Sequence, residues 1–210
     1  MGWRVGVLTE PFAVGAHAVR RLGPRVKGGR VVVLGGGSIG LATAACAVHA
    51  GVGKLVVVDK SEANLSLAVE MGAVPVLAGP KMGEEVRRGL GGPAEGIVIT
   101  SDYKGVFDHA LALAGAGGRV VVVALFGDQP VLDTSLVVLG EREVVGSVLY
   151  TKADFEVALE VLGAKQSVFD KMITHVYPLE ATSRAFEVLE GREGNPIKVI
   201  IECDSSFGLS

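Results

Sequence analysis

Cysteine is scarce in this chain: Cys46 and Cys203 are the two among 210 residues, and no C-x-x-C pairing occurs. That excludes an internal disulfide or thiolate–zinc framework and points to a reducing compartment. A basic block is also missing, and the formal net charge is −3. Nothing therefore suggests a nucleic-acid partner or an anionic membrane surface. No N-terminal apolar segment resembles a signal peptide, and no unbroken apolar run is long enough to cross a bilayer. The sequence predicts a soluble, cytoplasmic protein. What it holds in quantity is glycine, 30 residues of it, in a composition that is 49% hydrophobic. That excludes disorder and suits an α/β protein with small residues at tight turns.

The most organised stretch runs from Arg30 to Gly40. Val31, Val32, Val33 and Leu34 form a continuous apolar run, as in a parallel strand with both faces covered. Gly35, Gly37 and Gly40 follow with G-x-G-x-x-G spacing, with Ser38 and Ile39 between the last two. In that arrangement the first glycine turns the chain and the second lets backbone approach a pyrophosphate. The third lets helix pack on strand, and the helix N-terminus offers N–H groups to the phosphates. Alone the motif is weak, because glycine turns also arise where strand and helix merely pack closely. Asp59 strengthens it. It ends the next apolar run, 54–59, and lies 19 residues after Gly40. A carboxylate there accepts from both hydroxyls of an adenosine ribose and repels a 2′-phosphate, which favours NAD over NADP. Asp59 is also placed to cap the next helix, and Lys60 beside it tempers the NAD preference.

Around this turn the pattern alternates. Thr9 or Glu10 reads as a helix cap with Pro11 at the first helical position, and Arg20 and Arg21 suit the helix C-terminus. From spacing alone, Glu10 is a carboxylate complementing a helix dipole. A small-residue helix spans 39–50; its Cys46 reads as packing and its His49 as a C-terminal cap. Ser61 caps a helix closed by Gly72, a third strand covers 74–77, and a short polar helix follows. A fourth strand is expected at 96–100, a return helix around Val106 and Leu113 carries His109 as surface or packing, and a fifth strand spans 119–124. Residues 125–143 read as irregular, a sixth strand as 144–149, and Thr151 with Asp154 as a capping-box start to a helix through Leu162.

Six strands with such crossovers predict a doubly wound parallel sheet of order 3-2-1-4-5-6, a Rossmann fold, with its ligand crevice at the carboxyl ends of strands one and four. The glycine turn, Asp59, residues 100–102 and Leu125 all map to that edge. Leu136 to Leu139 and the sixth strand form an exposed margin at 136–149 suited to pairing with a second copy. A strand at 173–178, a helix ended by Gly191 and a strand at 197–201 are not needed by this sheet. The expected division is a dinucleotide-binding domain at 24–172, flanked at 1–23 and 173–210 by pieces of an incomplete second domain.

The flanking motifs carry a resemblance. Thr9-Glu10-Pro11-Phe12-Ala13-Val14-Gly15, Gly118-Arg119-Val120-Val121-Val122-Val123, Val144-Val145-Gly146-Ser147 and Ile173-Thr174-His175-Val176-Tyr177-Pro178-Leu179-Glu180 accompany the glycine turn and Asp59. Together they resemble the zinc-dependent alcohol dehydrogenases of the medium-chain dehydrogenase/reductase family, in the polyol and threonine dehydrogenase branch. The resemblance implies NAD as cofactor and an alcohol or polyol as substrate, and the margin at 136–149 is the expected contact of a homo-oligomer, a dimer. It implies that Glu10 faces a catalytic zinc, directly or through its water, and that Val14 packs on the nicotinamide. It places backbone at Ser147, Val148 and Leu149 against the carboxamide and Lys198 near the pyrophosphate. Thr100, Ser101 and Asp102 depart from the family's usual Asp/Glu-Cys/Ala-Val-Gly.

The family's other zinc ligands, a cysteine and a His-Glu pair, belong to an N-terminal barrel-like domain, and nothing before Glu10 supplies them. His17 and His175 are ordinary residues of the family pattern, so Glu10 is left as an incomplete metal site and zinc is not expected to be held by this chain. The expected role is the NAD(H)-binding part of a zinc-type alcohol or polyol dehydrogenase, not fully active alone. A non-catalytic nucleotide-binding or interaction module is the alternative. A methyltransferase shares the glycine turn and the acid after strand two, but Gly40 and the flanking motifs argue against it.

Overall fold

A computed structural model describes residues 2–25 and 27–203; the end of the 173–210 segment lies partly outside them. Six parallel strands form one sheet in the order β3-β2-β1-β4-β5-β6. They are β1 (Arg30–Leu34), β2 (Lys54–Asp59), β3 (Val74–Leu77), β4 (Ala94–Ile99), β5 (Ala114–Val122) and β6 (Glu143–Gly146). This is the doubly wound α/β topology expected.

The pleat explains the apolar runs. Val31 and Val33 of β1 point into one layer with Leu55, Val57, Val98 and Val121. Val32 and Leu34 point into the other with Val56, Val58, Ile97 and Ile99. Successive side chains of a strand face opposite sides, so a central strand covered on both sides must be apolar throughout.

The first layer contains α2 (Thr9–Leu22), α3 (Ser38–His49), α4 (Glu62–Met71) and α8 (Lys152–Ala164), whose apolar residues join that cluster. The second contains α5 (Met82–Leu90) and α6 (Val106–Leu113). Helices α2 and α3 approach very closely: a β-carbon on Gly15 would lie 2.7 Å from the Thr43 nitrogen. Phe12 of α2 meets the Phe169 ring edge-on at 4.9 Å. Helix α2 thus shares the core of the main sheet, and the division at 23/24 falls inside one continuous apolar cluster.

The C-terminal strands β7 (Ile173–Pro178) and β8 (Lys198–Glu202) pair in parallel as a separate two-stranded sheet, with α10 (Thr182–Gly191) between them in sequence. Ile173, Ile197 and Ile200 bury into the first core layer. Asn195 donates to Asn64 Oδ1 at 2.8 Å, and Lys171 reaches Glu70 at 2.6 Å, tying this unit to α4.

Several local expectations are corrected. Thr9 is already helical and its hydroxyl donates backwards to the Gly6 carbonyl at 2.6 Å, below the short helix α1 (Trp3–Gly6); Pro11 sits within the first turn. The stretch 125–143 holds a further helix, α7 (Thr134–Leu139), capped by Asp133, which accepts from the Ser135 amide at 2.8 Å. β6 stops at Gly146, which leaves Ser147, Val148 and Leu149 in a loop rather than a strand. Helix α10 does end at Gly191, and Arg192 after it takes the left-handed conformation. The short helix α9 (Gln166–Phe169) follows α8.

Candidate functional site

The glycine turn joins β1 to α3. Gly35 has φ +112°, a region that L side chains rarely adopt, and its amide donates to the Val58 carbonyl at 2.9 Å. A β-carbon on Gly40 would stand 1.8 Å from the Gly35 oxygen, so the first helical turn lies flush on the strand end. Gly37 differs from both: a β-carbon there would meet nothing within 4 Å. The fold itself does not require a glycine there. Gly37 is also the N-cap of α3, and no side chain caps that end. Unpaired N–H groups and the helix dipole therefore face the open space above it.

Asp59 closes the turn from β2. Its Oδ2 accepts from the Gly36 amide at 2.6 Å, and its Oδ1 from the Ser61 amide at 2.8 Å. The carboxylate abuts the glycine turn and also holds the amide of Ser61, which is itself the N-cap of α4 and accepts from the Asn64 amide at 3.3 Å. Two oxygens offer about four acceptor sites, so two amides leave capacity for further donors. Lys60 is exposed. Thr100, at the end of β4, donates to the Leu34 and Gly35 carbonyls at 3.1 and 3.0 Å. Its hydroxyl locks the turn from the other side, a role that a strand-end threonine beside β1 could have suggested.

The hydroxyls of Ser38 and Ser147 are buried with no hydrogen-bond partner among the described residues. Such atoms are uncommon in proteins and require a reason. Both lie at the carboxyl edge, Ser38 in the glycine turn and Ser147 just after β6, where the Ser147 amide donates to the Val122 carbonyl at 2.9 Å. Leu125, Val148 and Leu149 are 91%, 77% and 66% exposed beyond that edge. An open backbone cradle at Gly37 and a carboxylate at the β2 end fit a dinucleotide.

The other expected residues stand apart from this hydrogen-bonded group. Glu10 is exposed in the first turn of α2, and Val14 lies half-buried one turn along. Lys198 opens β8, opposite Ile173. His17 bonds Asp154 at 2.8 Å through Nδ1. His175 stacks on Tyr177 and bonds Thr174 at 2.9 Å. His109 bonds the Tyr103 hydroxyl at 3.1 Å, and burial raises the Tyr103 pKa to about 12. His49 Nε2 lies 3.6 Å from Glu160 across to α8. Among the described residues no group of three or more His, Cys, Asp or Glu side chains is arranged to hold a metal ion. Catalytic zinc takes three protein ligands and an open position, so the residues around Glu10 do not fit one.

A cleft of about 240 Å³ at the amino ends of β1, β4 and β5 is lined by Arg25, Arg30 and Glu95 among others. Its arginines are engaged: Arg30 grips Glu95 through its backbone amide at 2.6 Å and its Nε at 2.9 Å, and Arg25 reaches Glu143 at 2.7 Å. Those bonds hold Glu95 below the usual carboxylate range.

Comparison with known proteins decides the family. A model described as zinc-binding dehydrogenase matches residues 38–164. Human sorbitol dehydrogenase is 31% identical over 206 residues, which is 96% of this chain and 57% of that enzyme. The chain belongs to the zinc-binding dehydrogenase family. It spans little more than half the length of such relatives. Among solved structures, 2R,3R-butanediol dehydrogenase from Bacillus subtilis superimposes with a TM-score of 0.84 at 24% identity, over 97% of this chain and 59% of that one. An Escherichia coli alcohol dehydrogenase solved with NADH gives 0.82 at 20% identity, over 95% and 59%. Both share this dehydrogenase fold.

Proposed function

We propose that this chain binds NAD(H) across the carboxyl edge of its sheet and forms the cofactor-binding part of a zinc-type alcohol or polyol dehydrogenase. The observation that carries this is the β1–α3 turn. Gly35 and Gly40 are required by close packing, Gly37 is open to solvent, and Asp59 is bonded to the turn itself. The α3 amides after Gly37 receive the pyrophosphate, and Lys198 adds a cation near it. Asp59 accepts from the adenosine ribose hydroxyls with its remaining capacity and disfavours the 2′-phosphate of NADP. Val14 and backbone at 147–149 bound the nicotinamide, which when bound accepts or releases the hydride. The NADH carried by the Escherichia coli neighbour supports this reading.

Alcohol oxidation by the family relies on zinc to polarise the substrate oxygen. The donors among the described residues do not assemble such a site, so turnover requires ligands beyond Glu10. The test is titration with NADH and NADPH. NADH should bind more tightly; equal affinity for the two would defeat the Asp59 assignment.

A second element of the proposal is self-association of a cytoplasmic homo-oligomer along α7 and β6. Val131, Val138 and Leu139 are 84%, 71% and 85% exposed there, beside an unpaired strand edge. Sedimentation of the parent and of Leu139→Asp tests it, with the variant expected to be monomeric. An interaction module without catalysis is favoured if the oligomer forms while no dinucleotide binds.

A further inference from the structure

Asp154 is 2% exposed, and the cofactor cradle does not use it. Its carboxylate receives a guanidinium fork, Arg20 Nε to Oδ1 at 2.8 Å and Nη2 to Oδ2 at 3.0 Å. His17 Nδ1 meets Oδ2 at 2.8 Å, and the Thr151 amide and hydroxyl donate to the same oxygen at 2.8 and 2.7 Å. One residue along α2, Arg21 Nε donates to the Gly146 carbonyl at 3.0 Å, and the Arg21 carbonyl accepts from Arg119 Nη1 at 3.1 Å. The last two turns of α2 thus grip Gly146 and Thr151, the two ends of the loop formed by residues 147–150.

Elsewhere that loop is anchored at its ends, by the Ser147 amide on the Val122 carbonyl at 2.9 Å and by Tyr150 against the first core layer, while its middle is poorly held. Val148 and Leu149 are largely exposed, and Leu149 has φ +53°, a left-handed backbone unfavourable for a branched side chain. Its first residue carries the orphaned Ser147 hydroxyl. Strain and unpaired polar groups persist only where the surroundings over-determine them. Joining α2 to α8 does not need these ions, because Phe12, Ala158 and Leu162 already share one apolar cluster. A buried ion cluster is itself weak evidence of added stability.

We infer that Arg20, Arg21 and Asp154 are positioning residues: a brace that presets the 147–150 loop against α2 as a wall for the nicotinamide half of the cofactor. The inference rests on the NAD(H) reading above. Val14 stands one turn before His17 on the same helix, so the brace fixes the α2 side of that wall and the loop side together.

The full chain and its Asp154→Asn and Arg21→Gln variants are compared by amide hydrogen exchange and by titration with NADH and with ADP-ribose, which lacks the nicotinamide. Exchange of the Ser147 amide, which is bonded to the Val122 carbonyl, should rise about tenfold or more in each variant, with β1 and β4 amides unchanged. NADH affinity should fall about tenfold while ADP-ribose affinity holds. Arg21→Lys, which keeps one donor for the Gly146 carbonyl, should restore part of the loss. Arg21 is exposed, so its variants decide the matter if Asp154→Asn does not fold. Equal weakening of both ligands, unchanged loop exchange, or a parent that binds NADH no tighter than ADP-ribose would each overturn the brace. A parent that binds neither ligand would overturn the cofactor reading and, with it, the loop's assignment; exchange would then still report whether the loop is braced.

Discussion

Gly37→Ala separates folding from binding at the glycine turn. In the structure a β-carbon at this position has no heavy atom within 4 Å, and φ is −71°, which any residue adopts. The folded chain therefore has room for it. Removing a glycine stabilises by about 0.4–1 kcal/mol through the unfolded state, while alanine is a poorer helix N-cap than glycine by a similar few tenths or more. These nearly cancel, so Tm should move by no more than about 3 °C in a protein of this size. Binding should respond differently, because the new methyl occupies the space through which a pyrophosphate reaches the α3 amides. Forcing an atom into a close-packed contact costs about 1–3 kcal/mol, or roughly 5- to 150-fold in Kd. Gly40→Ala is the contrasting control. Its β-carbon would lie 1.8 Å from the Gly35 oxygen, so strand and helix must part and stability itself should fall by about 3 kcal/mol or more. Differential scanning fluorimetry with NADH fluorescence titration measures both quantities. A Gly37→Ala protein that binds NADH as tightly as the parent would refute the assignment of the open glycine to the phosphates.

Other consequences follow from neighbouring groups. Asp59→Asn loses the charge that the Gly36 and Ser61 amides share, and should cost about 1–2 kcal/mol in urea unfolding while narrowing the preference for NADH over NADPH. An unchanged preference would leave Asp59 only its structural role at the Gly36 and Ser61 amides. Burial alone would raise the Asp154 pKa, but bonds from Arg20, Thr151 and His17 outweigh it and hold the carboxyl well below the usual range. A depressed folded pKa means that its stabilisation is full above the unfolded value near 4 and drains away as pH falls toward the folded one. Asp154→Asn should therefore be less stable than the parent at pH 7, with the gap closing below about pH 4 in acid titrations followed by circular dichroism; a gap independent of pH would contradict this. Burial pushes the Cys46 thiol up to about 12, whereas Cys203 is exposed. A thiol reagent at pH 8 should label Cys203 alone in the folded protein and both residues in urea, and rapid native labelling of Cys46 would show that the α2–α3 contact opens.

The sheet was legible because its chemistry is local. Four apolar residues in β1 demand cover on both faces, and the glycine spacing with Asp59 marks where the chain turns, so strand order follows from right-handed crossovers. Helix α7 was harder to read. Gly127 and Pro130 break the preceding stretch, and the Leu136 to Leu139 run suits a sheet margin equally well; the Asp133 cap was the available signal. At α2 the sequence pattern Thr9-Glu10-Pro11 looks like a cap, and only α1 folding back beneath Thr9 alters it. The glycine turn and Asp59 were visible from spacing, whereas Thr100 needed the adjacency of β4 to β1. The Asp154 cluster was visible only as a capping box, since its Arg20 and His17 partners lie 134 and 137 residues away in sequence. Nothing local reports such a pairing.

The central claim is that the β1–α3 turn and Asp59 hold a nicotinamide dinucleotide. An amide-resolved NMR titration of the chain with NADH tests it most directly. The account predicts saturable shifts at Gly37, Ser38, Ile39 and the Asp59–Ser61 segment, weaker with NADPH and absent with S-adenosylmethionine. Shifts confined to other parts of the sheet, or the same turn responding to S-adenosylmethionine and not to NADH, would contradict it.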